Sequence, residues 1–204
     1  MAPSSKLRAL PAPQSEGPAL PALGDGELML LTRAGSRDAF RALVERYLTR
    51  VVSYCTKFTA NAVAGEELAQ DVFLQLWRSR ERYRPQSPFT VFLFTIARNR
   101  CRNHRRWWQR LLPRLADAPD AADCVTTTEP SQLEAMLSLE RRRLVHQALG
   151  ALPAKQREAL LLRFEQELSY EEVGSVAGCP EATARTRVFH GMRELRSLLA
   201  KEEP

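Results

Sequence analysis

From Ala39 onward the apolar positions fall at Phe40, Leu43, Val44, Tyr47 and Val51. That is the i, i+3, i+4, i+7, i+11 spacing of an amphipathic helix. A second stripe, Leu68, Val72, Phe73, Leu76 and Trp77, predicts a helix from about Gly65 to Arg80, with Glu66, Glu67, Gln70, Asp71 and Gln75 on its outward side. The run RYRPQSP, residues 82–88, breaks the pattern with two prolines and reads as a loop. Helical spacing resumes from about Phe89 to Gln109, where Leu93, Ile96, Ala97, Cys101, His104 and Trp108 form one stripe. Arg98, Arg102 and Arg105 form a second stripe beside it, and Asn99, Asn103 and Arg106 a third, so the basic residues gather on one face.

Between Arg114 and Arg141 there is no Lys or Arg, only an acidic run interrupted by Pro119 and Pro130, which predicts a linker. After it, Pro153 suits the first turn of a helix whose apolar side is Ala159, Leu160 and Phe164. Ser169 and Glu172 form a capping box for the next helix, short, with Val173, Val176 and Ala177 inward and Gly178 placed to end it in a left-handed conformation. Pro180 opens a longer helix along which Ala184, Val188, Met192, Leu195 and Leu199 stack, leaving Arg185, Thr186, Phe189, His190 and Arg193 off the stripe. A short capped helix, a glycine turn and a longer helix with basic outward residues make a helix-turn-helix, whose second helix fits a major groove. A plain three-helix bundle has the same apolar spacing. The outward Arg/Thr/Arg set and the separate basic helix upstream weigh towards DNA.

The expected fold is all-α, two small helical domains joined by a flexible acidic linker. The expected boundaries are a Pro/Ala-rich disordered tail over 1–24, a first domain over 25–112, the linker over 113–134 and a helix-turn-helix domain over 135–204. Composition refines this only slightly. A formal charge of +6 and a pI near 9.5 suit an acidic partner such as nucleic acid. No stretch approaches the roughly 20 apolar residues of a membrane span, so no membrane insertion is expected and the chain is placed in the cytoplasm. Cys55, Cys101, Cys124 and Cys179 are far apart and read as reduced thiols. Cys101 and His104 make one C-x-x-H with no second ligand pair nearby, so neither metal nor cofactor is expected. An enzyme on nucleic acid would need convergent acids, ligands or a nucleophile with its base. The histidines are scattered, and Glu66, Glu67 and Asp71 read as a docking face, so the chain is not read as an enzyme.

These segments resemble the extracytoplasmic-function group of bacterial RNA polymerase sigma factors. ELAQDVFLQLW, residues 67–77, resembles the family's core-binding helix, and PFTVFLFTIARNRCRNHRR its strand-opening and −10 reading segment; residues 152–196 resemble region 4 almost without gaps. The chain departs from the family pattern at Phe92, often Trp, in the run ATARTR, and at His190, commonly Arg, which bears on the −35 sequence preferred. The resemblance implies binding to the β and β′ subunits of RNA polymerase core through Gln70, Asp71, Phe73, Leu74, Gln75 and Trp77. It implies −10 recognition and melting by Tyr83, Phe89, Arg98, Asn99, Arg102, Asn103, Arg105 and Arg106. Arg185, Thr186, Arg187, Phe189, His190 and Arg193 would read the −35 element or hold its phosphates. An anti-sigma factor is a further implied partner, and the linker would lie in the polymerase's RNA path or act as a plain tether. The rival reading is a stand-alone helix-turn-helix regulator that binds operators without polymerase. It leaves the first domain without a role.

Overall fold

The computed structural model describes residues 22–111 and 143–201, and among them every regular element is helical. Residues 1–21 of the expected tail, the whole of the expected linker and the boundaries drawn at 112, 113, 134 and 135 lie outside the described residues, while 22–24 of that tail are placed, the Leu23 carbonyl accepting from Arg46.

The first helix, α1 (Asp25–Arg33), starts where the Gly24 amide donates to the Glu27 carboxylate at 2.8 Å. The second, α2 (Arg37–Thr59), is capped by Ser36, whose hydroxyl accepts from the Ala39 amide at 3.2 Å. The third, α3 (Ala62–Arg78), begins three residues before the expected Gly65, because Asn61 caps the Ala64 amide at 2.9 Å. Gly65 serves the crossing of α2 and α3 instead: a Cβ there would stand 2.6 Å from the Thr56 Cα, so only glycine allows the approach. A short 3-10 turn (Arg80–Arg82) leads through the expected loop into α4 (Phe89–Leu111).

Residues 143–151 form α5. Next come α6 (Ala154–Leu160), α7 (Tyr170–Ala177) and α8 (Glu181–Ala200). Between α6 and α7, residues Leu161–Glu165 widen into a π turn, closed by the Gln166 amide on the Leu161 carbonyl at 3.1 Å. The wider turn carries Leu161 and Leu162 into the core and Phe164 outward, whereas α-helical spacing predicts Phe164 on the apolar side. The Ser169–Glu172 capping box is formed in both directions, at 2.7 and 3.1 Å, and Gly178 ends α7 with φ 61°.

The N-terminal unit buries Tyr47, Val51, Tyr54 and Phe58 of α2 against Leu68, Val72 and Leu76 of α3 and Leu93, Phe94 and Ala97 of α4. The C-terminal unit buries Leu160, Leu162, Val173, Val176, Ala184 and Val188. The two units pack directly on one another, α4 against α7 and the second half of α2 against α6 and the π turn.

Candidate nucleic-acid interface

The short α7 and its glycine turn set α8 so that its inner stripe is covered and the rest faces solvent. Arg185, Thr186, Phe189, His190 and Arg193 are exposed, Arg187 is half-buried, and the Phe189 ring is 65% exposed. A large aromatic left this open beside basic and hydroxyl groups is suited to apolar contact in a groove. Of these side chains Arg185 is the one held most firmly. Its guanidinium donates to Glu181 at 2.7 Å and lies 4.6 Å from the centre of the Tyr170 ring. The Arg163 guanidinium lies 5.1 Å from the same ring. Tyr170 and Glu181 thus hold Arg185 from two sides, and neither was singled out from sequence.

On α4 the expected residues fall into three environments. Asn99, Asn103, Arg105 and Arg106 are exposed, and Arg102 is half-buried. Arg98 is spent: its guanidinium pairs with Glu158 of α6 and donates to the Ala177 carbonyl of α7 at 2.7 Å. Tyr83 and Phe89 are core side chains, 2% and 4% exposed. Tyr83 packs 5.4 Å from Phe92 and 6.4 Å from Phe89, and Phe89 meets Tyr47 edge-on at 5.2 Å. An extruded base cannot stack on either ring while this core is intact. The exposed surface of the loop is Arg82, Arg84, Pro85, Gln86 and Pro88. The ring of Trp107 is exposed, and the Trp108 side chain lies outside the described ones.

On α3, Gln70, Asp71 and Leu74 are exposed, so this face is open for docking. Phe73 is a core residue, Gln75 accepts from Arg100 at 2.6 Å, and Trp77 rests on Phe40 at 5.1 Å beneath the Arg80 guanidinium. A separate apolar groove of about 380 Å³ on the C-terminal unit is lined chiefly by Val145, Leu149, Leu160, Phe164, Met192 and Leu195.

Electrostatics at the junction follow burial. The Arg157 guanidinium is pushed down to about 10 by desolvation, helped by the positive charge of Arg105. Desolvation also lowers His104, against the opposing pull of Glu67. The phenol of Tyr54 is raised well above its ordinary value by complete burial, with Cys101 and Glu158 adding to the effect. The Cys101 thiol lies 3.6 Å from the Cys55 sulfur, both buried. Among the described residues no group of His, Cys, Asp or Glu is placed to hold a metal, and no helix is long and apolar enough to cross a membrane.

Sequence reasoning missed Arg50, Glu158 and Gln166, which join the two units. The one signal for Glu158 is its place in REALLL, where a carboxylate stands directly before the apolar run Ala159–Leu162.

Known proteins resemble this arrangement in sequence and in fold. The family description Sigma-70 region 2 matches residues 43–111, and Sigma-70, region 4 matches residues 142–195. The chain is 35% identical to the RNA polymerase sigma factor CarQ of Myxococcus xanthus, over 84% of this chain and 95% of that one. It is 30% identical to the RNA polymerase sigma-H factor of Pseudomonas aeruginosa, covering 86% and 93% of the two chains. With the ECF RNA polymerase sigma-E factor of Escherichia coli it shares 30% identity over 82% and 90%. In fold it is similar to the sigma factor RpoE of Bartonella quintana, solved with the anti-sigma factor NepR, with a TM-score of 0.67, 23% identity and coverage of 81% and 98%. It is also similar to CnrH, solved with the cytosolic domain of CnrY, at a TM-score of 0.66, 23% identity and coverage of 88% and 99%. The chain belongs to the sigma-70 family of RNA polymerase sigma factors, in its extracytoplasmic-function group.

Proposed function

We propose that this sigma factor binds RNA polymerase core in the cytoplasm through the α3 face of Gln70, Asp71 and Leu74, with Gln75 and Trp77 at its border, and brings the enzyme to promoters with a −35 and a −10 element. Region 2 would be the described helices of the N-terminal unit, region 4 those of the C-terminal unit, and the residues between them the linker. On α8, Arg185, Thr186, Phe189 and His190 read the −35 major groove, while Arg187 and Arg193 hold phosphates. On α4, Arg98, Asn99, Arg102 and Asn103 meet the −10 strand, and Arg105 and Arg106 add attraction that is blind to sequence and falls with salt. The observation that carries the reading is the outward set on α8, exposed as a group and held in a helix-turn-helix frame.

The energetics call for a polymerase. Opening about ten base pairs costs roughly 14 kcal/mol, and each base stacked on an aromatic returns only about 1–3 kcal/mol. With Tyr83 and Phe89 buried in the core, few rings remain to stack on, so the protein alone falls far short. It acts as a specificity subunit of an enzyme, with no chemistry of its own. An anti-sigma factor is a partner by analogy with RpoE of Bartonella quintana, solved with the anti-sigma factor NepR, and the groove beside Phe164 has the apolar lining that accepts an amphipathic helix.

Run-off transcription with bacterial core polymerase and a promoter library tests the reading. Starts that depend on this protein, with shared sequences at −35 and −10, are expected. Tight operator binding by the isolated protein, with no dependent starts and no association with core, would replace it with the stand-alone regulator.

A further inference from the structure

Asp25 opens α1, far in sequence from any residue assigned to DNA, yet it is tied to the loop that leads into α4. One oxygen of its carboxylate pairs with Arg46, and the other accepts from the Tyr47 hydroxyl. Arg46 also donates to the Leu23 carbonyl, at 3.2 and 3.3 Å from its two terminal nitrogens, which closes the chain entering α1 over the pair. The Tyr47 ring in turn meets Phe89, the first residue of α4. Beside it the Tyr83 hydroxyl donates to the Ser87 carbonyl at 3.4 Å, and a Cβ on Gly26 would stand 3.5 Å from that hydroxyl. Burial, and after it the charge of Asp25, raises the Tyr83 phenol. Loop 82–88 therefore rests on two rings, Tyr83 at its start and Phe89 just past its end, and the first turn of α1 braces both.

We infer that Asp25 is a positioning residue for the −10 element. By holding the Tyr47 hydroxyl it fixes the aromatic floor under loop 82–88, and so sets the loop's exposed side chains against a base of the strand. The inference rests on the proposed assignment of α4 to that strand.

Distance allows the loop to take part. Arg98 lies nine residues beyond Phe89 on α4, about 14 Å at 1.5 Å per residue. A stacked strand covers that in about four nucleotides at 3.4 Å each. Arg82, Arg84 and Gln86 supply exposed donors there, while Pro85 and Pro88 restrict the backbone that carries them. The Arg46 pair is open to solvent and contributes little by itself. The tyrosine bond is part-buried and has a charged acceptor, the stronger class of hydrogen bond. A loop on a loose floor must be ordered when it binds. Contacts to phosphate tolerate that looseness and contacts to a base edge do not, so the loss falls on discrimination.

The test is base preference in run-off transcription with core polymerase, on the −10 element the wild type selects and on its single-base substitutions. Asp25→Ala should lower the preference about tenfold at one or two adjacent positions, the factor for one hydrogen bond to a charged group. Preferences at the other −10 positions and at −35 should hold. Tyr47→Phe keeps the ring against Phe89 and removes only the hydroxyl. It should give the same loss, and the double variant no more than either alone. Asp25→Asn keeps an acceptor for the hydroxyl and should restore most of the preference. A residue needed only for stability would lower transcription from every promoter alike and leave the ratio between bases unmoved. That result, or a loss spread evenly over the −10 positions, would overturn the inference. So would Asp25→Asn as damaged as Asp25→Ala beside an unaffected Tyr47→Phe, which would make the charge and not the bond the active feature. A wild-type protein that drives no starts, or selects nothing at −10, would overturn the proposed function and this inference together.

Discussion

The two helices assigned to DNA differ in what their side chains are doing before DNA arrives. On α8 the residues proposed to read DNA are exposed, Arg187 half-buried among them, and Arg185 is steadied by Glu181 and Tyr170 of its own unit. Around α4 the expected residues are divided between solvent, the core and the other unit. The difference comes from how each site is framed. In a helix-turn-helix the capping box, the glycine turn and the apolar stripe jointly fix which side of α8 is outward. Beside α4 the aromatics follow a loop with no such frame, and a ring there is as well suited to filling a core as to stacking on a base.

The largest effect that can break this comparison is at Tyr83. Tyr83→Ala should empty a core site and destabilise region 2 by about 3–5 kcal/mol, the usual range for losing a buried aromatic. Thermal unfolding checks it. If Tyr83 were a base platform, stability would hold and only strand affinity would drop. The same burial sets an alkaline limit. The phenols of Tyr47, Tyr54 and Tyr83 are all raised above the ordinary 10.0, first by desolvation. Because the folded state favours their neutral forms, this stability is complete below pH 10 and is lost as the pH climbs through the raised values. Hydrogen exchange followed upward from pH 10 should show the helices around these three phenols loosening first.

Arg185→Ala comes next. The side chain is 62% exposed, so stability should hardly move. A lost bidentate contact to guanine should cost about 1–3 kcal/mol of discrimination at one base position. Competition binding against substituted −35 duplexes reads it. An equal loss on every duplex would mean that Arg185 touches only the backbone.

How much of this was legible in the sequence varies by element for physical reasons. Periodicity names the apolar face of a helix, so the stripes of α3, α4 and α8 appear where their spacing puts them. Capping chemistry is local, so Ser169, Glu172 and Gly178 could be read directly. Periodicity does not say what a polar residue meets across space. Arg98 and Glu158 are sixty positions apart, and Arg50 and Gln166 further still, so local pattern could not pair them. The π turn at Leu161–Glu165 escaped as well, because α-helical spacing assumes a constant number of residues per turn and so puts Phe164 on the wrong side.

The smallest effect is the most discriminating about α8. Tyr170 opens α7, off the reading helix, with its ring near two guanidiniums. A cation over an aromatic at an exposed site contributes about 0.5–1 kcal/mol, a factor of about 2 to 5. Tyr170→Leu should therefore weaken the preference for the base read by Arg185 by that factor, leaving preferences at other −35 positions unchanged. Tyr170→Phe keeps the ring and should restore it, because the ring face holds the guanidinium and the hydroxyl does not. If Tyr170 mattered only as packing for α7, the leucine variant would lower affinity on all duplexes alike and the phenylalanine variant would change little. If its hydroxyl met a DNA phosphate, phenylalanine would fail to rescue and affinity would fall on all duplexes alike, with the salt dependence unchanged because a neutral hydroxyl displaces no counterion. The three patterns are distinct in one competition experiment. Only the first supports an Arg185 set in place by α7 before the groove is reached.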